Sequence, residues 1–273
     1  MMKKSVLYAL SSALLLCSAC FNPAMNRDKP IDTPLPCQTA KSSSAPVTEG
    51  LVAEYLFDSD ARDSGPFQIS GTVHNAQLTT DRFGRQSQAY QFDGSNAYIE
   101  IPDNNAFSVS TTRQLSISVW MRPDALDFNL SENNYVHWMG KGSVRGSHEW
   151  TFRMYNKSDA SRSNRTSFYL YNLPGGLGAG SYAQDQVSAG QWIHFVCVAD
   201  LSTDSITLYK NGVKRDSDAI YNSQYHITPQ NGSSPVRIGT RDFKSYFQGA
   251  IDDIRVYNRA MSAEEVLALY NEK

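Results

Sequence analysis

The sequence predicts an all-β domain, a sandwich or barrel of antiparallel strands that is followed by one short helix. Apolar residues alternate with polar ones in short runs such as 115–121 and 150–155, which is typical of strands with one buried face. Turn residues separate the runs, and Asn211-Gly212 is a strong hairpin signal. Because no helical pattern lies between the runs, the strands must pair with one another instead of alternating with helices.

Each predicted strand is a run rich in apolar, β-branched and aromatic residues that turn formers bound on both sides. The glycine-rich segment 174–180 is predicted to be a loop. A helix follows the last strand, where Ser262 and Glu265 form a capping-box pattern ahead of an apolar face. In chain order the predicted strands are 50–57, 89–93, 97–101, 115–121, 150–155, 167–171, 205–213, 236–239 and 249–257.

The composition fits one globular domain of this class and excludes two kinds of partner. Of the 273 residues, 41% are hydrophobic and 19% are charged, and the 15 Tyr, 12 Phe and 17 Gly favour strands and turns. The formal net charge is -2, so no basic excess is present to drive nucleic-acid binding. Lys and Arg are also too scattered to form a polybasic membrane patch.

The first 19 residues are predicted to be a bacterial lipoprotein signal peptide. Two lysines precede an apolar run at 6–16 that is too short to span a bilayer. Residues 16–20 then resemble a lipobox with Cys20 as the lipidated residue, although Cys17 stands where that pattern usually has Leu. The resemblance implies palmitate-type acyl chains on Cys20, and Phe21 after it implies an outer-membrane location. An ordinary cleaved secretory peptide is the alternative.

Residues 20–48 are predicted to be a tether, and residues 49–273 the folded domain. Five prolines and a run of serines occupy the tether, and nothing in it would bury a core. Cys37 lies in the tether, whereas Cys197 lies in an apolar run at 192–199. The two would pair only in an oxidising compartment, and a buried thiol at Cys197 is the favoured interpretation.

Four parts of the domain, in the expected order, resemble one known family. They are an opening strand at 50–58, an Asp-Ser-Gly loop at 63–72, a hairpin at 92–102, and a closing group at 192–194, 209–213 and 249–262. Together they resemble the laminin-G-like, concanavalin A-like lectin and glucanase superfamily. The resemblance implies a jelly-roll sandwich of two antiparallel sheets that binds glycan or glycoprotein ligands without catalysis. Two alternatives stay open, a polysaccharide hydrolase or lyase of the same fold and a structural envelope protein that binds other proteins.

No set of residues in the sequence predicts catalysis. Glycan-cleaving enzymes hold two carboxylates at a fixed separation across the scissile bond, and no Glu-x-Asp-x-Glu spacing is present. Pro102 breaks the strand that carries Glu100, while Glu132 and Glu149 are isolated. The five histidines show no metal-binding spacing, and no nucleophile elbow occurs. We therefore expect no enzymatic activity.

The family resemblance also implies one structural calcium ion near the meeting point of the first and last strands. Calcium prefers several carboxylate and carbonyl oxygens, and Asp58 and Asp252 match the expected positions. Backbone oxygens of residues 63–72 would complete the shell. Asp252 and Asp253 should point to opposite faces, because neighbours alternate on a strand. The alternative is that Asp58 is an ordinary turn carboxylate.

Alternation also predicts a face on which a ligand would lie. Arg153 and Tyr155 share one side of their run, opposite its Trp, Phe and Met, and Tyr169 and Tyr171 share the outward side of the next run. Tyrosine rings stack on sugars while their hydroxyls form hydrogen bonds, which suits a glycan platform. The alternative is that these tyrosines are ordinary sheet formers.

Trp138 is a second candidate ligand contact. It lies beside His137 in a predicted loop at 130–146. Long loops on rigid sandwiches often carry function, so we expect Trp138 to reach a ligand.

Overall fold

The computed structural model describes residues 47–143, 147–173, 176–221 and 226–272. The predicted signal peptide, the lipidation site Cys20 and the tether residue Cys37 lie outside these ranges. Within the ranges, no helix has the length and the apolar character that a bilayer span requires.

The described residues form two sheets in which all the pairings between strands are antiparallel. One sheet has eight strands and the other has seven. In chain order the strands are β1 (Leu51–Tyr55), β2 (Thr72–His74), β3 (Gln77–Thr79), β4 (Ala89–Asp93), β5 (Tyr98–Ile101), β6 (Gln114–Pro123), β7 (Tyr135–Lys141), β8 (Trp150–Tyr155), β9 (Thr166–Tyr171), β10 (Gly178–Ala183), β11 (Ile193–Asp200), β12 (Ser205–Lys210), β13 (Val213–Ala219), β14 (Val236–Ile238) and β15 (Gln248–Tyr257).

The strand order of both sheets confirms the predicted sandwich. The first sheet runs β13-β12-β11-β6-β15-β4-β3, and β1 also pairs with β15. The second sheet runs β10-β9-β8-β7-β14-β5-β2. Many neighbours in space are distant in sequence, as expected for a jelly roll.

Strand β15 organises the first sheet because it has partners along both edges. It pairs with β6 along one edge, and with β4 and then β1 along the other. A bulge between Asp252 and Arg255 separates its two halves, and Asp253 within the bulge has a φ of 45°. A bulge bends and twists a strand locally, and here it lies between the segments that pair with β4 and β1.

Aromatic rings fill the space between the sheets. Trp138 on β7, Phe152 on β8 and Phe168 on β9 are fully buried. The Trp138 ring centroid lies 4.6 Å from that of Phe152 and 6.1 Å from that of Phe195 in the opposite sheet. Because side chains alternate along a strand, this inward set fixes which side chains of β8 and β9 face outward.

Two segments that the sequence predicts to be loops form strands instead. Strand β7 lies within the predicted loop at 130–146, and Trp138 is a core residue rather than an accessible ligand contact. A bulge between His137 and Met139 interrupts the alternation that would otherwise identify this strand. Strand β10 includes part of the glycine-rich segment, which pairs with β9 in regular register.

Turn and cap chemistry is confirmed at two places. Asn211 and Gly212 join β12 to β13 and both have positive φ, as a type I′ turn requires. Helix α2 (Ala263–Tyr270) begins with the predicted capping box between Ser262 and Glu265. A second short helix, α1 (Val109–Thr112), follows a 3₁₀ turn at Asn105–Phe107.

Cys197 lies on β11 and is buried in the core. Burial raises the pKa of its thiol well above the ordinary value, because a thiolate would lose its hydration. This environment favours an unreactive thiol. The alternative, a disulfide with Cys37, is not tested because Cys37 lies outside the described residues.

Replacing Trp138 with Ala is expected to lower the free energy of unfolding by about 3–5 kcal/mol, because it leaves a cavity between the sheets. Urea denaturation of the full chain measures this loss. The matched control is Trp192→Ala, since the Trp192 ring is only partly buried. If both variants lost the same stability, the placement of Trp138 at the centre of the core would be wrong.

Candidate functional site

Four tyrosines and one arginine lie together on the outer face of the second sheet. This tyrosine–arginine cluster consists of Tyr135, Arg153, Tyr155, Tyr169 and Tyr171. The Arg153 guanidinium carbon is 4.1 Å from the ring centroid of Tyr169, 4.6 Å from that of Tyr135 and 5.0 Å from that of Tyr155. The structure thus brings together the four residues that alternation predicts and adds Tyr135, which the sequence analysis missed.

Two glycines on β10 give the tyrosine rings room to lie flat. Gly180 is paired with Tyr169, and Gly178 with Tyr171. A Cβ at Gly180 would be 2.6 Å from the Tyr169 ring, and one at Gly178 would be 2.9 Å from the Tyr171 ring. Both separations are too short for real carbon contacts, so a larger residue at either position would displace a ring.

Arg153 is the electrostatic centre of the cluster. Its side chain is only 9% exposed, and its Nε has no acceptor among the described residues. No ion pair joins it to a described carboxylate. Burial lowers the pKa of Arg153, but the hydroxyls of Tyr171, Tyr169 and Tyr155 outweigh that effect, so the net shift is upward and the charge persists. The tyrosine faces supply cation–π attraction in place of an anion.

The cluster is partly covered, and its accessible edge is made by Tyr135 and Tyr169. Both of these rings are half-buried, whereas Tyr155 and Tyr171 are buried. Arg162 lies over the Tyr155 ring at 4.3 Å and donates a hydrogen bond of 3.0 Å to its hydroxyl. A ligand would therefore meet Tyr135 and Tyr169 first and Arg153 beneath them.

Buried polar atoms without partners are concentrated on this face. Each such atom costs about 1–3 kcal/mol, and native structures hold few of them. Within the described residues thirteen side chains carry one, and six of these lie in or beside the cluster. The six are Glu132, His137, His148, Arg153, Ser167 and Arg241.

His137 lies directly across from Arg153 on the neighbouring strand and is 1% exposed. Burial, followed by the charge of Arg241, lowers the pKa of its imidazole to about 3. Its ring is therefore neutral at ordinary pH. Its Nδ1 lies 3.0 Å from the Thr151 hydroxyl, while its Nε2 faces the carboxylate of Glu132 at 3.6 Å.

The predicted metal ligand Asp252 takes part in an internal ion pair. Arg82 Nη1 lies 3.3 Å from Asp252 Oδ2 and also contacts the Asp253 carboxylate. The prediction that the two aspartates face opposite ways is wrong, because the β15 bulge turns Asp253 toward the same arginine. Burial and the neighbouring Asp253 charge raise the pKa of Asp252 above its ordinary value.

The other predicted metal ligand, Asp58, is exposed and lines a shallow cavity of about 260 Å³ with Asp60 and Asp63. Asp63 organises the adjacent loop by accepting hydrogen bonds from three backbone amides, at 2.7–2.8 Å. Among the described residues, Asp58 and Asp252 do not join a group of three close ligand atoms. Because they bring no third described ligand atom close by, these two residues do not fit the implied calcium shell.

Two of the carboxylates considered for catalysis are engaged in ion pairs. Glu149 is buried and contacts Lys141, and its Oε2 accepts a 2.5 Å hydrogen bond from Ser108. Glu100 pairs with Arg237 at 2.8 Å. Both acids therefore have structural partners that hold them in place.

A second aromatic surface lies on the first sheet. Trp120, Trp192, Phe83 and Tyr270 line a cavity of about 360 Å³, and the rings of Trp120 and Tyr270 stack at 5.7 Å. This surface could not be predicted from the sequence, because its members come from four separate segments. The available signal is Trp120, which occupies the polar phase of its alternating run.

Calcium is expected to leave the thermal unfolding midpoint of metal-stripped protein unchanged, because Asp58 and Asp252 do not come together with a third close ligand atom among the described residues. Differential scanning calorimetry with and without excess calcium measures the midpoint. A rise in calcium that disappears in Asp252→Asn would contradict this expectation and establish the implied calcium site.

The fold and the sequence were compared with known proteins. A family model described as the concanavalin A-like lectin/glucanases superfamily matches residues 93–267. Comparison with curated protein sequences gave no match. Domain 4 of a GH43 extracellular arabinanase from Geobacillus stearothermophilus, solved in complex with arabinotriose, aligns with a TM-score of 0.59 and 20% identity, covering 81% of this chain and 98% of that domain.

Two botulinum neurotoxin structures are similar in fold. The receptor binding domain of the C/D mosaic serotype aligns with a TM-score of 0.64 and 13% identity, covering 82% of this chain and 51% of that one. The binding domain of neurotoxin DC in complex with SialylT aligns with a TM-score of 0.59 and 15% identity, covering 82% and 52%. At these identities the likeness shows the fold alone, whereas the family model matches more than half of the sequence. The chain belongs to the concanavalin A-like lectin/glucanase superfamily.

Proposed function

We propose that this chain is a lipid-anchored protein of the outer membrane that binds glycan or glycoprotein ligands without cleaving them. The binding surface is the tyrosine–arginine cluster. The proposal depends on the environment of Arg153. Its guanidinium is buried among tyrosine rings, and its Nε has no acceptor among the described residues.

The chemistry of Arg153 favours a ligand with clustered oxygen atoms. A buried charge without an anion is costly, and a guanidinium presents a planar set of N–H donors that matches a carboxylate. The half-buried rings of Tyr135 and Tyr169 offer faces for a sugar ring. An acidic saccharide would satisfy both features, with its carboxylate toward Arg153 and its ring against Tyr169.

Two further observations support a binding role without catalysis. The relatives include an arabinanase domain bound to arabinotriose and a toxin domain bound to SialylT. In addition, Glu100 and Glu149 are held by Arg237 and Lys141, so neither is placed as an unpaired acid for hydrolysis.

Tyr169→Ala is expected to weaken binding to a glycan identified on an array by about tenfold, which corresponds to about 1.4 kcal/mol. Arg153→Lys keeps the charge but loses the planar donor set, and should weaken binding of acidic glycans more than neutral ones. Titration calorimetry on the full chain measures both. The matched control is Trp192→Ala, on the second aromatic surface, which should bind normally.

Three outcomes would overturn parts of the proposal. Loss of binding in Trp192→Ala with normal binding in Tyr169→Ala would move the site to the first sheet. Release of shortened products from a polysaccharide would establish a hydrolase or lyase. Absence of binding to any glycan would favour a structural envelope protein that binds other proteins.

Cys20→Ala is expected to move the protein from the membrane fraction to the soluble fraction and to abolish labelling by palmitate, because the acyl chains are its anchor. Fractionation of expressing cells measures this. Cys37→Ala is the control, and it should stay in the membrane fraction. A parent protein that is already soluble and takes up no palmitate would instead indicate an ordinary cleaved secretory peptide.

A further inference from the structure

Three polar side chains from separate segments meet beside the tyrosine–arginine cluster. Glu132 lies in the turn before β7, His137 lies on β7, and Asp242 lies in the segment between β14 and β15. One ligand-type atom from each lies within 4.8 Å of the others. His137 and Asp242 are buried and Glu132 is half-buried.

The hydrogen bonds of His137 orient its ring toward the two carboxylates. The Thr151 hydroxyl lies 3.0 Å from the Met139 carbonyl, to which it donates. It is therefore available to accept from His137 Nδ1–H, also at 3.0 Å. In the tautomer that satisfies both bonds the proton lies on Nδ1, and His137 Nε2 then presents a lone pair.

The region between the three side chains is rich in acceptors. His137 Nε2 and Glu132 Oε2 face each other at 3.6 Å, and neither has a donor among the described residues. Two buried acceptors held this close repel unless a proton or a metal ion lies between them. Asp242 adds a second carboxylate, which Arg241 holds in place through a 2.7 Å hydrogen bond.

We propose that Glu132, His137 and Asp242 bind one divalent metal ion, for which Zn²⁺ is the best match. One imidazole and two carboxylates are common zinc ligands, whereas calcium prefers a shell of six to eight oxygens. A metal-binding histidine is usually oriented by an acceptor for the N–H of its second ring nitrogen. Thr151 occupies that place.

The surrounding charges set the strength of the site. The two carboxylates face the guanidinium groups of Arg241 and Arg153, and the Lys244 ammonium also acts on Glu132, so the three ligands have no excess of negative charge around them. The Arg153 guanidinium lies across from His137 on the neighbouring strand, and its positive charge weakens the binding of a cation there. Asp242 is also 3.5 Å from the buried His148 Nε2, a further nitrogen beside the site. The site does not depend on glycan binding, although a metal ion here would border the proposed ligand surface.

Zinc titration of the full chain tests the site. All the variants carry Cys37→Ser, so that this thiol does not bind zinc, and are stripped with a chelator before competition against a chromogenic zinc indicator. We expect one saturable site, lost in His137→Ala and weakened at least tenfold in Glu132→Gln. Thr151→Val should weaken zinc binding by about 10- to 100-fold, since it removes the hydroxyl that orients His137 and leaves the three ligands in place. The control is His74→Ala. The His74 ring stacks on Tyr98 and is not one of the three ligands, so this variant should bind zinc normally.

Two results would overturn the site. One is the absence of any saturable zinc binding, which would mean that a proton rather than a metal occupies the space beside His137. The other is equal zinc affinity in Glu132→Gln and the parent protein. Glu132 lies in a turn and is half-buried, so this variant keeps the test decisive even if His137→Ala fails to fold. Near-ultraviolet circular dichroism checks the fold of each variant.

Discussion

The aromatic layer between the two sheets determines the outer face on which the proposed functions depend. Trp138, Phe152 and Phe168 come from three adjacent strands and are fully buried. Once they point inward, the alternation of side chains directs Arg153 and Tyr169 outward. A slip of one residue in β8 would bring Arg153 into the core and expose Phe152, so the hydrophobic effect fixes the register of the binding face.

The outer face contrasts with the core in its energetics. Arg153 and His137 are nearly as buried as core residues, yet each keeps a polar nitrogen without a partner among the described residues. Such groups reduce stability, and proteins retain them mainly where a ligand, ion or water completes their bonding. The two proposals assign different partners to this face, an anionic or hydroxyl-rich ligand for Arg153 and a cation for His137.

The sequence predicts much of the fold because alternation and turn chemistry are local properties. It places Arg153, Tyr155, Tyr169 and Tyr171 on one face, and the Asn211-Gly212 hairpin also forms as predicted. The errors occur at bulges, where alternation breaks. The β7 bulge interrupts the alternation that would have identified the strand carrying Trp138. The β15 bulge brings two neighbouring aspartates into contact with one arginine.

Other features depend on contacts between distant segments and leave no local pattern. Asp242 is far from Glu132 in sequence, and only the pairing of β14 with β7 brings the loop that carries Asp242 near the start of β7. The second aromatic surface likewise combines Phe83, Trp120 and Tyr270 from separate elements. The unpartnered nitrogen of Arg153 is also invisible in the sequence, because an arginine among tyrosines usually finds a carboxylate or water.

Nuclear magnetic resonance of the ¹⁵N-labelled full chain offers the most direct discrimination between the two aromatic faces. The Nε–H of Arg153 and the indole N–H of Trp192 give separate side-chain signals. Both signals are followed while a glycan that binds the protein is titrated in. Binding at the tyrosine–arginine cluster predicts a saturable shift of the Arg153 signal with the Trp192 signal unchanged. A saturable shift of Trp192 with Arg153 unchanged would contradict it.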